Sequence, residues 1–232
     1  MALHIVERPS PNHDARPAAI DMLVLHYTGM KTAEEALARL CDRSAKVSAH
    51  YTVDRDGCVY RHLPEERRAW HAGASFWAGR TAVNACSIGI ELVNPGHEFG
   101  YVPFTDDQIA SLIELAQGIV ARHAIPPARV LAHSDVAPAR KSDPGELFPW
   151  QCLAEHGIGL WPVARSSQSE RRVTGEAAFA ANLARFGYGV PPDVDVPLEA
   201  VIAAFQRHFR PSCFDGIADG ECGAILERLL DA

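Results

Sequence analysis

The chain has 232 residues, 47% of them hydrophobic and 22% charged, with a formal net charge of −7. That balance suits a soluble globular protein built as one large domain, or as a large domain and a small one. The negative charge argues against nucleic acid as the main partner, because neutralising phosphates needs a basic face. No window of 18 consecutive apolar residues is available to span a membrane.

The N-terminus, "MALHIVERPSPNHDARP", has no basic start followed by an apolar run, so it does not read as a secretory signal. With Met1 in place, the expected location is the cytoplasm. "DMLVLHYTG" (21 to 29) predicts a short buried strand that closes on His26 and a glycine turn. "TAEEALARLCD" predicts a helix opened by a Thr32/Glu35 capping box, with Ala33, Leu37, Leu40 and Cys41 on one face. "AHYTVDRDGCVYRHL" (49 to 63) reads as a hairpin with Asp56-Gly57 at its turn.

"CSIGIELVN" (86 to 94) alternates, placing Ile88, Ile90 and Leu92 on one face and Gly89, Glu91 and Val93 on the other. Glu91 is thus a charge within a strongly apolar strand. "TDDQIASLIELAQGIVARHAI" (105 to 125) predicts a helix with a Thr105/Gln108 capping box and a stripe of Ile109, Leu112, Ile113, Ala116, Ile119 and Val120. "RVLAHSD" (129 to 135) predicts a further strand ending at His133. Strands mixed with helices make residues 1–162 an α/β domain. The polar stretch "VARSSQSERR" reads as a linker over 163–172. Residues 173–232 then form a small helical module, with helices expected at 175–186, 197–209 and 220–230. The six cysteines form no C-x-x-C pair and are expected to be reduced thiols.

A catalytic zinc site takes three protein ligands from rigid elements and leaves one position open. His26 and His133 both close apolar strands, and Asp143 follows on the loop after His133. Glu91 is the candidate general base and Lys141 the candidate oxyanion partner. Taken singly, each has an ordinary reading. The histidines are polar residues at strand ends, Glu91 is half of a buried ion pair, and Lys141 and Asp143 are solvated surface. Spacing alone does not join positions 26, 91, 133 and 143 into one site.

The segments "VLHYTG", "SAHYTVDRDGCVYRHL", "WHAG", "NACSIGIELVN" and "LAHSDVAPARKSDPG" occur in the order found in type-2 N-acetylmuramoyl-L-alanine amidases. This is the zinc amidase superfamily that includes the peptidoglycan recognition proteins, and the chain resembles it over about residues 20 to 162. The subgroup it is most similar to is the anhydro-muropeptide amidases of Gram-negative bacteria. The resemblance implies a central mixed β-sheet flanked by helices. It implies one Zn2+ ion held by His26, His133 and Asp143, with Glu91 and Lys141 catalytic. His50, Trp70, His71 and Asn84 fall at motif positions near the groove and are its candidate sugar or peptide contacts.

The implied reaction is hydrolysis of the lactyl–L-Ala amide of (1,6-anhydro)muropeptides or peptidoglycan fragments, in cell-wall recycling. Two alternatives stand beside it: a lytic amidase acting on intact wall, and a peptidoglycan-sensing module that binds without cutting. Through "FQRHF" and "DGIADG", the C-terminal segment resembles small three-helix peptidoglycan-binding modules. The other reading is that it packs on the catalytic domain and buries apolar surface. No membrane, nucleic acid or obligate protein partner is implied.

Overall fold

The computed structural model describes residues 3–162 and 175–231, so the linker expected at 163–172 lies outside the described residues. The chain opens with two short strands, β1 (Ile5–Glu7) and β2 (His13–Ala15). The apolar run "MLVLHY" then forms β3 (Met22–Tyr27). Helix α1 (Ala33–Cys41) follows, with the Thr32 hydroxyl accepting the Glu35 N–H and Ala36, Leu37 and Leu40 buried. The hairpin is β4 (Tyr51–Val53) and β5 (Val59–Arg61), and Gly57 at its turn has φ +84°. β6 (Arg67–Ala69) pairs with β2 as a separate two-stranded ribbon. A turn of helix, α2 (Val83–Cys86), leads into β7 (Ser87–Leu92). α3 (Gly96–Phe99) and the long α4 (Asp106–His123) come next, then β8 (Val130–Ala132), α5 (His133–Val136) and α6 (Trp150–Glu155). The module contributes α7 (Glu176–Phe186), α8 (Leu198–Phe209) and α9 (Gly220–Leu230), close to the ranges expected from periodicity.

Six strands make one mixed sheet in the order β1-β5-β4-β7-β3-β8. Its neighbours run parallel except for the β4–β5 hairpin. Side chains alternate across β3, and each face has its own cover. Leu23 and Leu25 join Ile88, Ile90 and Leu92 of β7 beneath α4, where Leu112, Leu115, Ala116 and Ile119 are buried. Met22 and Val24 face the other way, into a core made with Phe179, Leu183, Tyr188, Phe205 and Leu226 of the C-terminal module. Each fully buried side chain of this kind contributes about 1.5–3 kcal/mol. The module therefore covers this face of the sheet at β3 and β8. No helix among the described residues is long and apolar enough to cross a membrane.

Two local expectations are corrected. The stripe of α4 is rotated toward Gln108 and Leu115, while Ile109, Ile113 and Val120 pack at its flank. The cause is Gln108, whose amide donates to Val53 O (2.9 Å) and Val93 O (3.1 Å) and so ties the helix to the ends of β4 and β7. Thr105 still caps the helix, accepting the Gln108 N–H. The strand expected to end at His133 ends at Ala132, and His133 begins a helical turn. Asp135 makes that break, because its carboxylate accepts the Ala132 N–H at 2.7 Å, as an acidic residue does at a helix start.

Asp135 also accepts from Tyr188 Oη (2.6 Å) and His208 Nδ1 (2.7 Å) of the module. The His208 ring is stacked between Trp150 and Phe209, at 3.7 and 3.9 Å between centroids. These polar bonds fix how the module sits on the sheet, where apolar packing alone would tolerate sliding.

On the far side, Glu65 ties the hairpin to the last turn of α4. It accepts from Tyr51 Oη (2.8 Å), Arg122 Nη2 (2.6 Å) and His123 Nε2 (2.5 Å). Burial alone would raise this carboxyl, but the bonds from Arg122, His123 and Tyr51 overcome it and hold the pKa at about 2. A lowered folded-state pKa contributes stability that is complete above the unfolded value near 4.5 and is lost as pH falls toward about 2. Glu65→Gln should therefore cost about 1–3 kcal/mol near neutrality. Urea titrations of both proteins should show that difference shrinking below about pH 4.5. A gap that stays constant down to the acid limit would rule out this linkage.

Candidate active site

The sheet register assembles the site. In parallel pairing His26 of β3 sits opposite Glu91 of β7, and Leu25 opposite Ala132 of β8. One step further, His133 comes beside His26. The end of β3, the end of β7 and the start of α5 thus converge at the carboxyl edge of the parallel strands, where open α/β sheets place their ligands. The loop after α5 returns over this edge. Ser134 N donates to Asp143 O at 3.0 Å, which docks the loop beside His133.

His26, His133 and Asp143 are all buried, and one ligand atom from each lies within 4.8 Å of the others. His26 Nδ1 is 2.9 Å from His133 Nδ1, and Asp143 Oδ2 is 3.1 and 3.0 Å from the two nitrogens. Ligands of a tetrahedral zinc at ~2.0–2.1 Å stand roughly 3.3 Å apart, close to this spacing. The donor chemistry also fits a metal ion. His133 Nε2 faces the Ala72 carbonyl at 3.1 Å, and a carbonyl only accepts, so this contact can hold the ring proton on Nε2 and leave Nδ1 free for a metal.

Burial, with the neighbouring His133, lowers His26 to about 4, so its ring is neutral near pH 7. Burial would raise the Asp143 carboxyl, but His133 and His26 pull it well below the ordinary carboxylate range. Two imidazoles and one carboxylate facing each other form a site that can hold a divalent metal.

A cavity of about 280 Å³ opens over these residues. Glu91, His133, Lys141 and Asp143 line it, with Tyr27 and Trp70 on its walls. The cavity thus brings the expected catalytic pair, Glu91 and Lys141, to the same opening as the metal site. Glu91 Oε2 is shut off from solvent and has no hydrogen-bond partner among the described residues. Burial raises the Glu91 carboxyl well above its usual range, Asp143 raises it further, and Lys141 partly offsets both. A buried, unpartnered acid facing a cavity is unfavourable for the fold and suits proton transfer.

The four weaker candidates fall in different places. Trp70 borders the cavity, and its indole N–H donates to Asp14 at 2.7 Å. His71 also borders the cavity, with Nδ1 at 3.0 Å from His26 Nε2 and Nε2 at 3.1 Å from Ser87 Oγ. Burial, reinforced by the neighbouring His26, holds His71 well below the usual histidine range and hence neutral. His50 is fully buried within the sheet. Its Nδ1 accepts the Gly89 N–H at 3.0 Å, and burial lowers it to about 3. Asn84 shapes the "WHAG" loop by accepting the N–H groups of His71 (3.1 Å) and Ala72 (2.8 Å).

Ser87, Gly89 and the Ala72 carbonyl also reach the site, and none of them is among the candidates the sequence offers. Only Gly89 left a trace, as a glycine inside a buried strand, which signals a close approach of another group. A Cβ there would lie 2.5 Å from the His71 ring.

The family model for N-acetylmuramoyl-L-alanine amidase matches residues 16–146. Escherichia coli AmiD, an N-acetylmuramoyl-L-alanine amidase, is 42% identical over 98% of this chain and 90% of its own length. Enterobacter cloacae AmpD, a 1,6-anhydro-N-acetylmuramyl-L-alanine amidase, is 35% identical, over 61% of this chain and 84% of its own. Among solved structures, AmiD in complex with its substrate anhydro-N-acetylmuramic acid-L-Ala-D-γ-Glu-L-Lys superposes with a TM-score of 0.84 over 94% of this chain and 92% of that one. Pseudomonas aeruginosa AmpDh3 in complex with anhydromuramic pentapeptide gives 0.79 at 33% identity, over 92% and 93%.

Proposed function

This chain belongs to the N-acetylmuramoyl-L-alanine amidase family, and from that premise we propose that it hydrolyses the lactyl–L-Ala amide of 1,6-anhydro-muropeptides with one zinc ion held by His26, His133 and Asp143. The observation that carries this reading is the convergence of those three ligand atoms beside a cavity that His133, Asp143, Glu91 and Lys141 line. The two relatives solved with anhydro-muramyl peptides cover over nine-tenths of the chain, which supports that substrate class.

A zinc ion bound there supplies a Lewis acid and makes water acidic enough to furnish a nucleophile near neutral pH. The chain's own residues do the rest. Glu91 takes the proton of the attacking water as the new C–O bond forms at the lactyl carbonyl carbon. Lys141 sits where its ammonium faces the negative charge that gathers on the carbonyl oxygen. Glu91 then returns its proton to the L-Ala nitrogen as the C–N bond breaks, leaving a lactyl carboxylic acid and a free amine; the acid then gives up its remaining proton to that amine or to solvent. Trp70, on the cavity wall, offers an aromatic face to the sugar or peptide.

Lys141→Ala should lower kcat by roughly 10²- to 10³-fold with zinc content unchanged, as for loss of one oxyanion donor. Turnover near the wild-type rate would remove Lys141 from this role.

The recycling role is part of the proposal. The six cysteines are all unpaired, as expected of a reducing compartment, and the cytoplasm is the location that goes with a soluble muropeptide substrate. The C-terminal segment shares one apolar core with the sheet, which favours a structural cover over a tethered wall-binding module. The deciding experiment is mass spectrometry of products from a purified anhydro-muropeptide and from intact sacculi. Release of free peptide from the soluble substrate alone is the expected result. Release from sacculi at an equal or greater rate would favour the lytic alternative, and no cleavage of either would favour a binding module.

A further inference from the structure

His133 and His26 are oriented in different ways. His133 Nε2 faces a carbonyl, which can only accept, so one direct contact holds its proton on Nε2 once Nδ1 is given to a metal. His26 Nε2 faces His71 Nδ1 at 3.0 Å, and a second imidazole can donate or accept. That contact leaves His26 undetermined unless His71 is itself anchored.

The anchor is Ser87. Its hydroxyl donates to the Val83 carbonyl at 2.7 Å, so its single proton is spent on a group that cannot donate in return. Ser87 Oγ therefore meets His71 Nε2, 3.1 Å away, as an acceptor. With Nε2 facing an acceptor, a His71 ring that carries one proton holds it on Nε2 and presents a bare Nδ1. His26 then keeps its own proton on Nε2, and its Nδ1 lone pair points toward His133 Nδ1 and Asp143 Oδ2. The relay is built into the sheet. Ser87, Gly89 and Glu91 share one face of β7, opposite Met22, Val24 and His26. Gly89 leaves room for the His71 ring, since any Cβ there would lie 2.5–2.7 Å from its atoms. Ser87 has no exposed surface, and His71, 9% exposed where it borders the cavity, has both ring nitrogens taken up by His26 and Ser87.

We propose that His71 and Ser87, seated over Gly89, are positioning residues that hold His26 in its Nε2–H tautomer and thereby aim its Nδ1 at the metal. The inference rests on the zinc reading above, and it assigns His71 to the metal site instead of to sugar or peptide. Without the relay, His26 can move its proton to Nδ1 and donate to Asp143 Oδ2, which occupies the ligand atom. Outer partners of metal-bound histidines typically contribute about 10- to 100-fold in affinity.

The test is zinc affinity of the full chain, by competition with a chromophoric chelator at one fixed pH, for wild type, Ser87→Ala and His71→Ala. Imidazole ¹⁵N NMR of the metal-free proteins reads the His26 tautomer, and thermal melts confirm folding. The expected results are a loss of roughly 10- to 100-fold for both variants and a shift of His26 toward Nδ1–H in Ser87→Ala. Ser87→Ala removes one oxygen and leaves the His71 ring in place, so it stays informative if His71→Ala folds poorly. Wild-type affinity and tautomer in a folded Ser87→Ala would overturn the relay alone. A wild-type chain that binds no zinc would overturn both the relay and the hydrolase reading.

Discussion

His133→Ala will lose its bound zinc and, with it, hydrolysis of the anhydro-muropeptide. Wild-type protein should carry about one zinc, and stripping it with a chelator should have the same effect as the substitution. Three ligands is the minimum for a catalytic site, and His133 supplies one of three atoms held 2.9–3.1 Å apart. A Lewis acid contributes several kcal/mol of transition-state stabilisation. At about 1.4 kcal/mol per factor of ten, the expected fall in kcat/KM is at least ~10³-fold. Added zinc should restore the stripped wild type and leave His133→Ala inactive. Elemental analysis beside the rate measurement checks both halves. Metal-free protein that turns over at an undiminished rate would exclude the mechanism proposed above.

Glu91→Gln will keep zinc and fold but lose about 10²- to 10⁴-fold in kcat, the usual contribution of a general base. The amide has nearly the shape of the acid, so the loss reports proton transfer and not packing. A second readout separates Glu91 from a structural ion pair. Glu91 Oε2 is buried without a partner, and burial raises its carboxyl well above the usual range. An isolated buried charge destabilises the fold, so the Glu91→Gln melting temperature should equal or exceed that of wild type. A marked fall in melting temperature would mean that Glu91 stabilises the fold, and near-normal kcat would remove it from catalysis. In both experiments KM for the muropeptide should move little, because neither residue is assigned to hold the sugar or peptide.

Much of this was legible from the chain itself. Apolar runs and capping residues located β3, α1, the β4–β5 hairpin, β7, α4 and the three module helices, because those signals are local and each segment carries its own. Ordered motifs named the ligand set and the catalytic pair. The short strands β1, β2 and β6 gave no such signal. Each has three residues, and their pairing partners lie about fifty positions away.

Sequence by itself determined which chemical groups this protein owns and which elements carry them: two imidazoles at apolar strand ends, an acid inside a buried strand, and a lysine two residues before an aspartate. Tertiary structure alone decided how they meet. The register of β3 against β7 and β8 is what puts His26 beside Glu91 and His133, and a one-residue slip would turn all three to the wrong face. It also decided that His71 serves His26, through a Ser87 hydroxyl whose proton is committed to Val83. It placed the helical module against the second face of the sheet, anchored on Asp135. The physical reason is common to all three. A hydrogen bond's direction and a strand's register depend on partners distant in the chain, and local pattern carries no information about which partner arrives.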